Sequence, residues 1–444
     1  MLVIKALSSG SENGASLSIW GSTDASWPPS FLLFISFPCF VDFHHVSHAR
    51  LCLLCAAALS AHHALASSCR ADSAFVSPDS VKSSSAVRRA ADGVIRLAET
   101  VLDALTIERP GYSLALYPAA SYSGRSGLAL GVMPLLQLRS HRLPHPATLT
   151  PVVLISTKRM FEVQCDADVY LPHRVDLTAK FEAYKQPDDL YEVGSWRNKS
   201  SIARYDFSRR MFTFEALKGL GESGPWRLGL TADVDYYSFS DIEPSSQQVS
   251  SRAVSLARSG SGASYGLGAV GGYDSRDNVL APANGFYTRV SALAYGRKRA
   301  LGGAFGLAVA DVRHYWPLPL SSVMAAQVYI GVGWGDVPFT KMPTCGGTRL
   351  GRAIGHNLKY VDRAAWLAQA EWRVPLFWRV GATAFGAVGN VASQARFAFS
   401  DVHVMCGAGL RLAVFPGKGL NLRLDGGISN YGDKAIYFNV REAF

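Results

Sequence analysis

The first residues in this chain with chemistry to offer are carboxylates spaced two apart. Asp166 and Asp168 occupy alternate positions of one segment, and Glu182 stands in the next. Such pairs do general acid–base work when one member is held protonated and the other ionised. The same residues also suit the wet face of a strand, where charge needs no catalytic explanation. Frames that would favour catalysis are missing: the chain has no H-E-x-x-H or Walker loop. Of seven cysteines, Cys39, Cys52 and Cys55 lie near the N-terminus, and the spacings of Cys69, Cys165, Cys345 and Cys406 fit neither zinc nor a C-x-x-C redox pair. The expectation is a protein that is not an enzyme and holds no cofactor or metal.

The elements carrying those carboxylates alternate strictly. Phe161, Val163, Cys165, Ala167, Val169 and Leu171 interleave with Glu162, Gln164, Asp166, Asp168 and Tyr170. Leu228, Leu230, Ala232, Val234 and Tyr236 interleave with Arg227, Gly229, Thr231, Asp233 and Asp235, and Trp366, Ala368, Ala370 and Trp372 with Leu367, Gln369, Glu371 and Arg373. A period of two marks half-buried strands. Many runs reach about 10–14 residues, beyond the usual ~5–6 of globular strands and enough to cross a bilayer at a tilt. About sixteen such segments lie between Gly111 and Phe444. Their apolar faces carry no charge and suit lipid, whereas the ionic faces suit a watery lumen. The fold class read from this pattern is all-β, a transmembrane antiparallel β-barrel of about sixteen strands.

Composition agrees. The 444 residues are 48% hydrophobic but only 18% charged, which excludes a disordered chain. No run of about 20 apolar residues exists, so a helical membrane protein is excluded too. The net charge of +10 has no aromatic-interleaved basic patch behind it, and Arg297-Lys298-Arg299 reads as a loop tip, so no nucleic acid is expected as partner.

Residues 1–66 read as a signal peptide. Arg50 precedes the apolar Leu51–Leu59, and Ala64-Leu65-Ala66 supplies a small-x-small cleavage site. Residues 1–45 do not fit that plan, and translation is expected to begin near Val46. Residues 67–110 form a periplasmic linker with an amphipathic helix over 86–105, and 111–444 the barrel. If the last strand descends into the periplasm, the short connections at 318–320, 374–376 and 416–418 are periplasmic turns. The long ones at 186–201, 242–260, 335–363 and 391–401 then face outward.

Several motifs together resemble the bacterial surface antigen barrels of the BamA/TamA superfamily. Asp274-Ser275-Arg276-Asp277-Asn278, Pro282 and Gly285-Phe286-Tyr287 resemble that family's periplasmic turn. Gly346-Gly347-Thr348-Arg349-Leu350-Gly351-Arg352 stands where the family carries its lumen loop, with the Arg-Gly order inverted and Ala353 in place of an aromatic. Ala368–Leu376, Gly381…Phe385…Gly389 and Leu422-Arg423-Leu424-Asp425 resemble its strands. Phe438, Val440 and the terminal Phe444 share one face, like the signal that directs outer-membrane barrels to insertion.

The resemblance implies a loop that folds into the lumen and pairs an arginine with strand carboxylates. Glu371 keeps the twelfth-strand carboxylate, but Ala387 stands where the thirteenth usually offers Asp, so the lock is expected to rest on one carboxylate, reached by Arg349 or Arg352. It also implies the bacterial outer membrane, with outer-membrane lipid around the barrel and the barrel-assembly machinery as partner during insertion. Residues 67–110 are too few for a POTRA domain, so a barrel-only member is expected, and a periplasmic or POTRA-bearing partner is left open. The function implied is protein or lipid assembly or translocation at the outer membrane; a passive or gated pore, or a structural surface antigen, is the alternative.

Overall fold

A computed structural model describes residues 106–123, 127–140, 143, 146–194, 200–222, 224–279, 281–298, 303–377, 379–394, 401–415, 420–440 and 442–444. The signal peptide and the helix over 86–105 lie outside the described residues.

The described chain is a run of antiparallel strands, each paired to the next. A short β1 (Thr106–Arg109) is followed by β2 (Tyr112–Ser123), β3 (Gly127–Leu138), β4 (Ala147–Ser156), β5 (Phe161–Leu171) and β6 (Val175–Leu190). Then come β7 (Ala203–Gly219), β8 (Trp226–Pro244), the helix α1 (Ser250–Gly260), β9 (Gly262–Asp274), β10 (Gly285–Lys298) and β11 (Phe305–Leu318). The last six are β12 (Ser322–Gly335), β13 (Ala364–Phe377), β14 (Val380–Ala392), β15 (His403–Phe415), β16 (Leu420–Ser429) and β17 (Lys434–Val440). Because β17 pairs back onto β2, strands β2 to β17 close into a sixteen-stranded barrel. Closure removes the unpaired edges that an open sheet would expose. The twelfth and thirteenth segments of the sequence reading are β13 and β14.

Alternation sorts the faces as expected. On β8, Leu228, Leu230 and Val234 point outward and are exposed (Leu230 64%), while Asp233 and Asp235 are buried inside. Trp226 and Tyr236 bracket that apolar stretch. Ten residues at about 3.3 Å each, tilted by about 40°, give a band roughly 25 Å tall, the height of an outer-membrane barrel's lipid belt. No helix among the described residues is long and apolar enough to cross a membrane.

The two ends differ. At one end β5–β6, β11–β12 and β13–β14 are joined by two or three residues, and the longest connection is 275–284, of ten. At the other end lie 191–202, 245–261 with α1, and the 28-residue connection 336–363. One boundary moves: Val374-Pro375-Leu376, read as a turn, belongs to β13, whose register shifts between Pro375 and Phe377, and the turn follows at 378–379. The bulge lets Pro375, which has no N–H to give, stand near a strand end. A second difference is β1, a strand where the sequence reading placed linker; it forms a hairpin with β2.

Pairing around the wall is uneven. The β6–β7 ladder has sixteen residue pairs. The β17–β2 seam has two, Tyr437 with Ser123 and Phe438 with Tyr122. Since β3 holds the other edge of β2, β1 lies on the seam edge and occupies residues 112–115 there.

Candidate functional site

The connection 336–363 enters the lumen and crosses it. At one side Lys341 Nζ makes ion pairs of 2.8 Å with both Asp233 and Asp235 of β8, and Phe339 packs on Phe239. At the other, the tip 346–354 lies against β13 to β17, where Cys345, Ala353, Ile354 and Leu367 share an apolar cluster with Met405. Two glycines shape the tip. Gly347 has φ +114° and a Cβ there would run into the Asn357 side chain; Gly351 has φ +64°. Left-handed backbone of this kind favours glycine. The Gly347 N–H donates to the Ile354 carbonyl (3.0 Å), and the Tyr437 hydroxyl of β17 donates to the same oxygen (2.8 Å).

That geometry drives Arg352 into a dry pocket. Its guanidinium pairs with Glu371 of β13 at 2.5 Å and donates to Asp425 of β16 at 2.8 Å, and it lies 3.7 Å above the Phe385 ring. Arg352 and Glu371 are both essentially inaccessible to solvent (1% and 0% exposed). A buried guanidinium without partners would carry a desolvation penalty of several kcal/mol. Here two carboxylates from separate strands answer it, and the ring face adds a cation–π contact. The expected lock on one carboxylate is therefore corrected: Asp425 provides a second, from β16 where β14 offers only Ala387. Of the two candidate arginines Arg352 reaches Glu371. Arg349 instead donates to the Ala443 carbonyl at 3.4 Å, and its own carbonyl accepts from Gln369 at 2.8 Å.

Around this pair lies a network. Arg373 Nε donates to Glu371 (2.6 Å), its Nη1 to the Pro282 carbonyl (3.1 Å) and its Nη2 to the Phe444 carbonyl (2.9 Å). Arg411 bonds Asp425 at 2.6 Å and Glu442 at 2.8 Å, and Arg423 donates to the Thr348 carbonyl at 3.1 Å. Arg373 thus ties the loop's carboxylate, the turn at 275–284 and the chain's tail to one side chain.

The turn motif holds itself together. Arg276 makes two bonds to Asp274 (2.9 and 2.8 Å) and covers the Tyr287 ring at 4.3 Å. Asp277 accepts from the backbone N–H groups of Asn278, Ala283 and Asn284, and the Asn278 side chain accepts from Ala281. Gly285, at φ +113°, leaves no room for a Cβ beside the Ser275 carbonyl.

The C-terminal segment departs from its expected register. Phe438 is half-buried opposite Tyr122, and Val440 ends β17 opposite Leu422. Phe444 does not continue the outward face of Phe438: beyond β17 the tail turns inward, and Phe444 is buried with Ala443 against Tyr315 and Ala325. The pull is polar, because Glu442 is held by Arg411 and Asn421 and the Phe444 carbonyl by Arg373.

The carboxylates read first as acid–base candidates face the lumen without converging. Asp168 accepts from Thr178 at 2.9 Å, Asp166 lies across from Lys180, and Glu182 lies across from Gln164, whose side-chain amide donates to Glu162 instead. Nearer the long-loop end His356 has both ring nitrogens engaged: Nδ1 accepts from the Leu358 N–H (3.0 Å) and Nε2 faces Asp188 at 2.5 Å. No group of three His, Cys, Asp or Glu residues able to hold a metal occurs among the described residues.

Sequence reasoning missed Asp425 as a partner, and with it Arg373, Arg411 and Glu442. Their signal is parity: each falls on the lumen-facing side of its strand or just beyond it, where an isolated charge has no reason to be buried.

No family model and no curated protein matches the chain. Among solved structures, the fold is similar to BamA from Haemophilus ducreyi lacking POTRA domains 1–3, at 14% identity and a TM-score of 0.49, over 75% of this chain and 70% of that one. It is also similar to CdiB from Acinetobacter baumannii (11% identity, TM-score 0.48, 74% of this chain) and CdiB from Escherichia coli (10%, 0.47, 76%). The chain spans 59% and 63% of the length of those two CdiB chains.

Proposed function

We propose that this protein is a bacterial outer-membrane barrel of the BamA/TamA type that helps a polypeptide or lipid enter or cross the membrane at its β2–β17 seam. The observation that carries the reading is the seam itself. Two residue pairs close it, β1 covers the lower edge of β2, and residues 116–121 of β2 have no strand partner on that side among the described residues. Unpaired N–H and C=O groups in lipid are costly, so such an edge invites another strand. We assign the protein no catalytic role, since its lumen carboxylates are dispersed. The barrel-assembly machinery would insert it, and a periplasmic or POTRA-bearing partner would deliver the client.

The test is a cross-link. A Tyr122→Cys, Phe438→Cys pair, oxidised in liposomes, is expected to abolish the protein's acceleration of client-barrel insertion, and reductant to restore it. Equal acceleration with the seam locked would refute the proposal. The loop that crosses the lumen supports a second reading, a gated pore. Steady conductance without any partner, together with no effect on client insertion, would favour that reading.

A further inference from the structure

Beside the upper end of the seam lies a cavity of about 1060 Å³ that the reading above does not use. Its inner side is formed by His356 and Lys359 of the lumen loop and by Asp433 before β17. Its outer side includes Tyr122, Ile428 and Ile436, which stand on the lipid-facing parity of their strands and are 41%, 53% and 58% exposed. One cavity therefore touches the polar interior and the apolar exterior of the wall.

The charge lining it is unbalanced. Five cations, Lys158, Arg159, Arg204, Lys359 and Lys434, face three carboxylates, Asp188, Asp189 and Asp433. Each carboxylate is already engaged: Asp188 by His356, Asp189 by Arg204 at 3.9 Å, and Asp433 by Lys359 at 2.5 Å and the Tyr360 hydroxyl at 3.1 Å. Arg159 and Lys434 have no carboxylate partner among the described residues, so the surplus is positive. Arg159 is also held in a left-handed conformation, φ +61°, at the tip of the four-residue turn between β4 and β5. The Ser156 hydroxyl fixes that turn by accepting from the Lys158 and Met160 N–H groups.

We propose that this cavity binds the phosphorylated headgroup of a membrane lipid, with Arg159 and Lys434 on the phosphate and the acyl chain lying along Tyr122, Ile428 and Ile436. A free phosphate satisfies the cations but leaves most of the volume and the whole apolar side unused. A neutral lipid uses the apolar side and leaves the cations unanswered. An amphiphile with a phosphorylated head answers both, and the volume, just above the about 300–1,000 Å³ of small-molecule sites, leaves room for it.

The probe is diphosphoryl lipid A in mixed micelles with the full chain, compared with the same lipid after enzymatic dephosphorylation and with inorganic phosphate. The variant is Arg159→Asn with Lys434→Gln, because asparagine tolerates the left-handed backbone. Arg252→Gln on α1, outside the cavity, is the control. Dephosphorylation of the lipid and the double variant are each expected to weaken binding by about tenfold or more, as loss of charge-assisted bonds does. The control should bind as the unaltered protein does, and millimolar phosphate should compete poorly. Equal binding of the two lipids, or an unaffected double variant that still shows heat-modifiable migration, would overturn the proposal. Inorganic phosphate binding as tightly as the lipid would overturn its lipid part and leave an anion site. Neither readout involves client insertion, so the seam reading and this one fail separately.

Discussion

The wall at β6–β8 and the wall at β17–β2 belong to one barrel yet are sealed by different physics. Strands of 16, 17 and 19 residues at β6 to β8 are joined by long backbone ladders, broken once where the register shifts between Arg204 and Asp206. At the seam the ladder shrinks to two residue pairs, and the strands leading to it, β13 to β16, carry buried charge on their inner face: Arg352 with Glu371 and Asp425, and Arg411 with the inward tail. A backbone ladder is nearly indifferent to side chains, so that wall tolerates substitution away from the buried pairs of Asp233 and Asp235 with Lys341. An ionic seal in a dry lumen is brittle, because removing one partner strands the others. The difference teaches where this barrel can change shape without unfolding.

Arg352→Ala should have the largest effect. It leaves Glu371 and Asp425 without the loop's guanidinium, a loss of about 3–5 kcal/mol in the loop's preference for the lumen. Planar-bilayer conductance should rise several-fold while heat-modifiable migration persists. Unchanged conductance would mean that the ion pair does not hold the loop.

Arg373→Ala comes next, since one side chain serves Glu371, the 275–284 turn and the tail. Loss of bonds to a charged donor is worth about 2–3 kcal/mol here, read as a lower urea midpoint and faster carboxypeptidase trimming at Phe444. An outward-facing substitution on the laddered wall, Arg210→Ala, should move neither.

Gly285→Ala tests the turn alone. Forcing a Cβ at φ +113° should destabilise by about 1–3 kcal/mol in urea unfolding, without changing conductance. A conductance change would show that the turn communicates with the loop.

The smallest effect concerns Cys345 in the lumen loop, whose thiol burial pushes up to about 12. A thiol so raised stays protonated at pH 8 and is a poor nucleophile. Iodoacetamide should leave Cys345 unlabelled at that pH in the unaltered protein and label it once Arg352→Ala frees the loop. Labelling of the unaltered protein would place the loop outside the lumen.

Much of this was legible in the residues. Period two names the strands, the face of each and the count, because burial on a pleated sheet repeats every second residue. The turn at 274–285 and the position of Glu371 are local patterns and were readable for the same reason. Asp425 was not, because it lies 73 residues from Arg352 and meets it only after the barrel has closed. The tail was misread because Phe438, Val440 and Phe444 keep the alternation. Pattern alone cannot show that Arg411 and Asn421 take hold of Glu442 and end the strand. Nor does any local signal reveal that β1 would share an edge with β17, since that depends on where the last strand falls short.

Hydrogen exchange measured strand by strand on the folded barrel bears most directly on the two-wall account. The β2 amides between 116 and 121 that point to the seam should exchange at least about a hundredfold faster than those of β7 from 209 to 216, because they have no strand partner there among the described residues. Equal protection on both walls would contradict it.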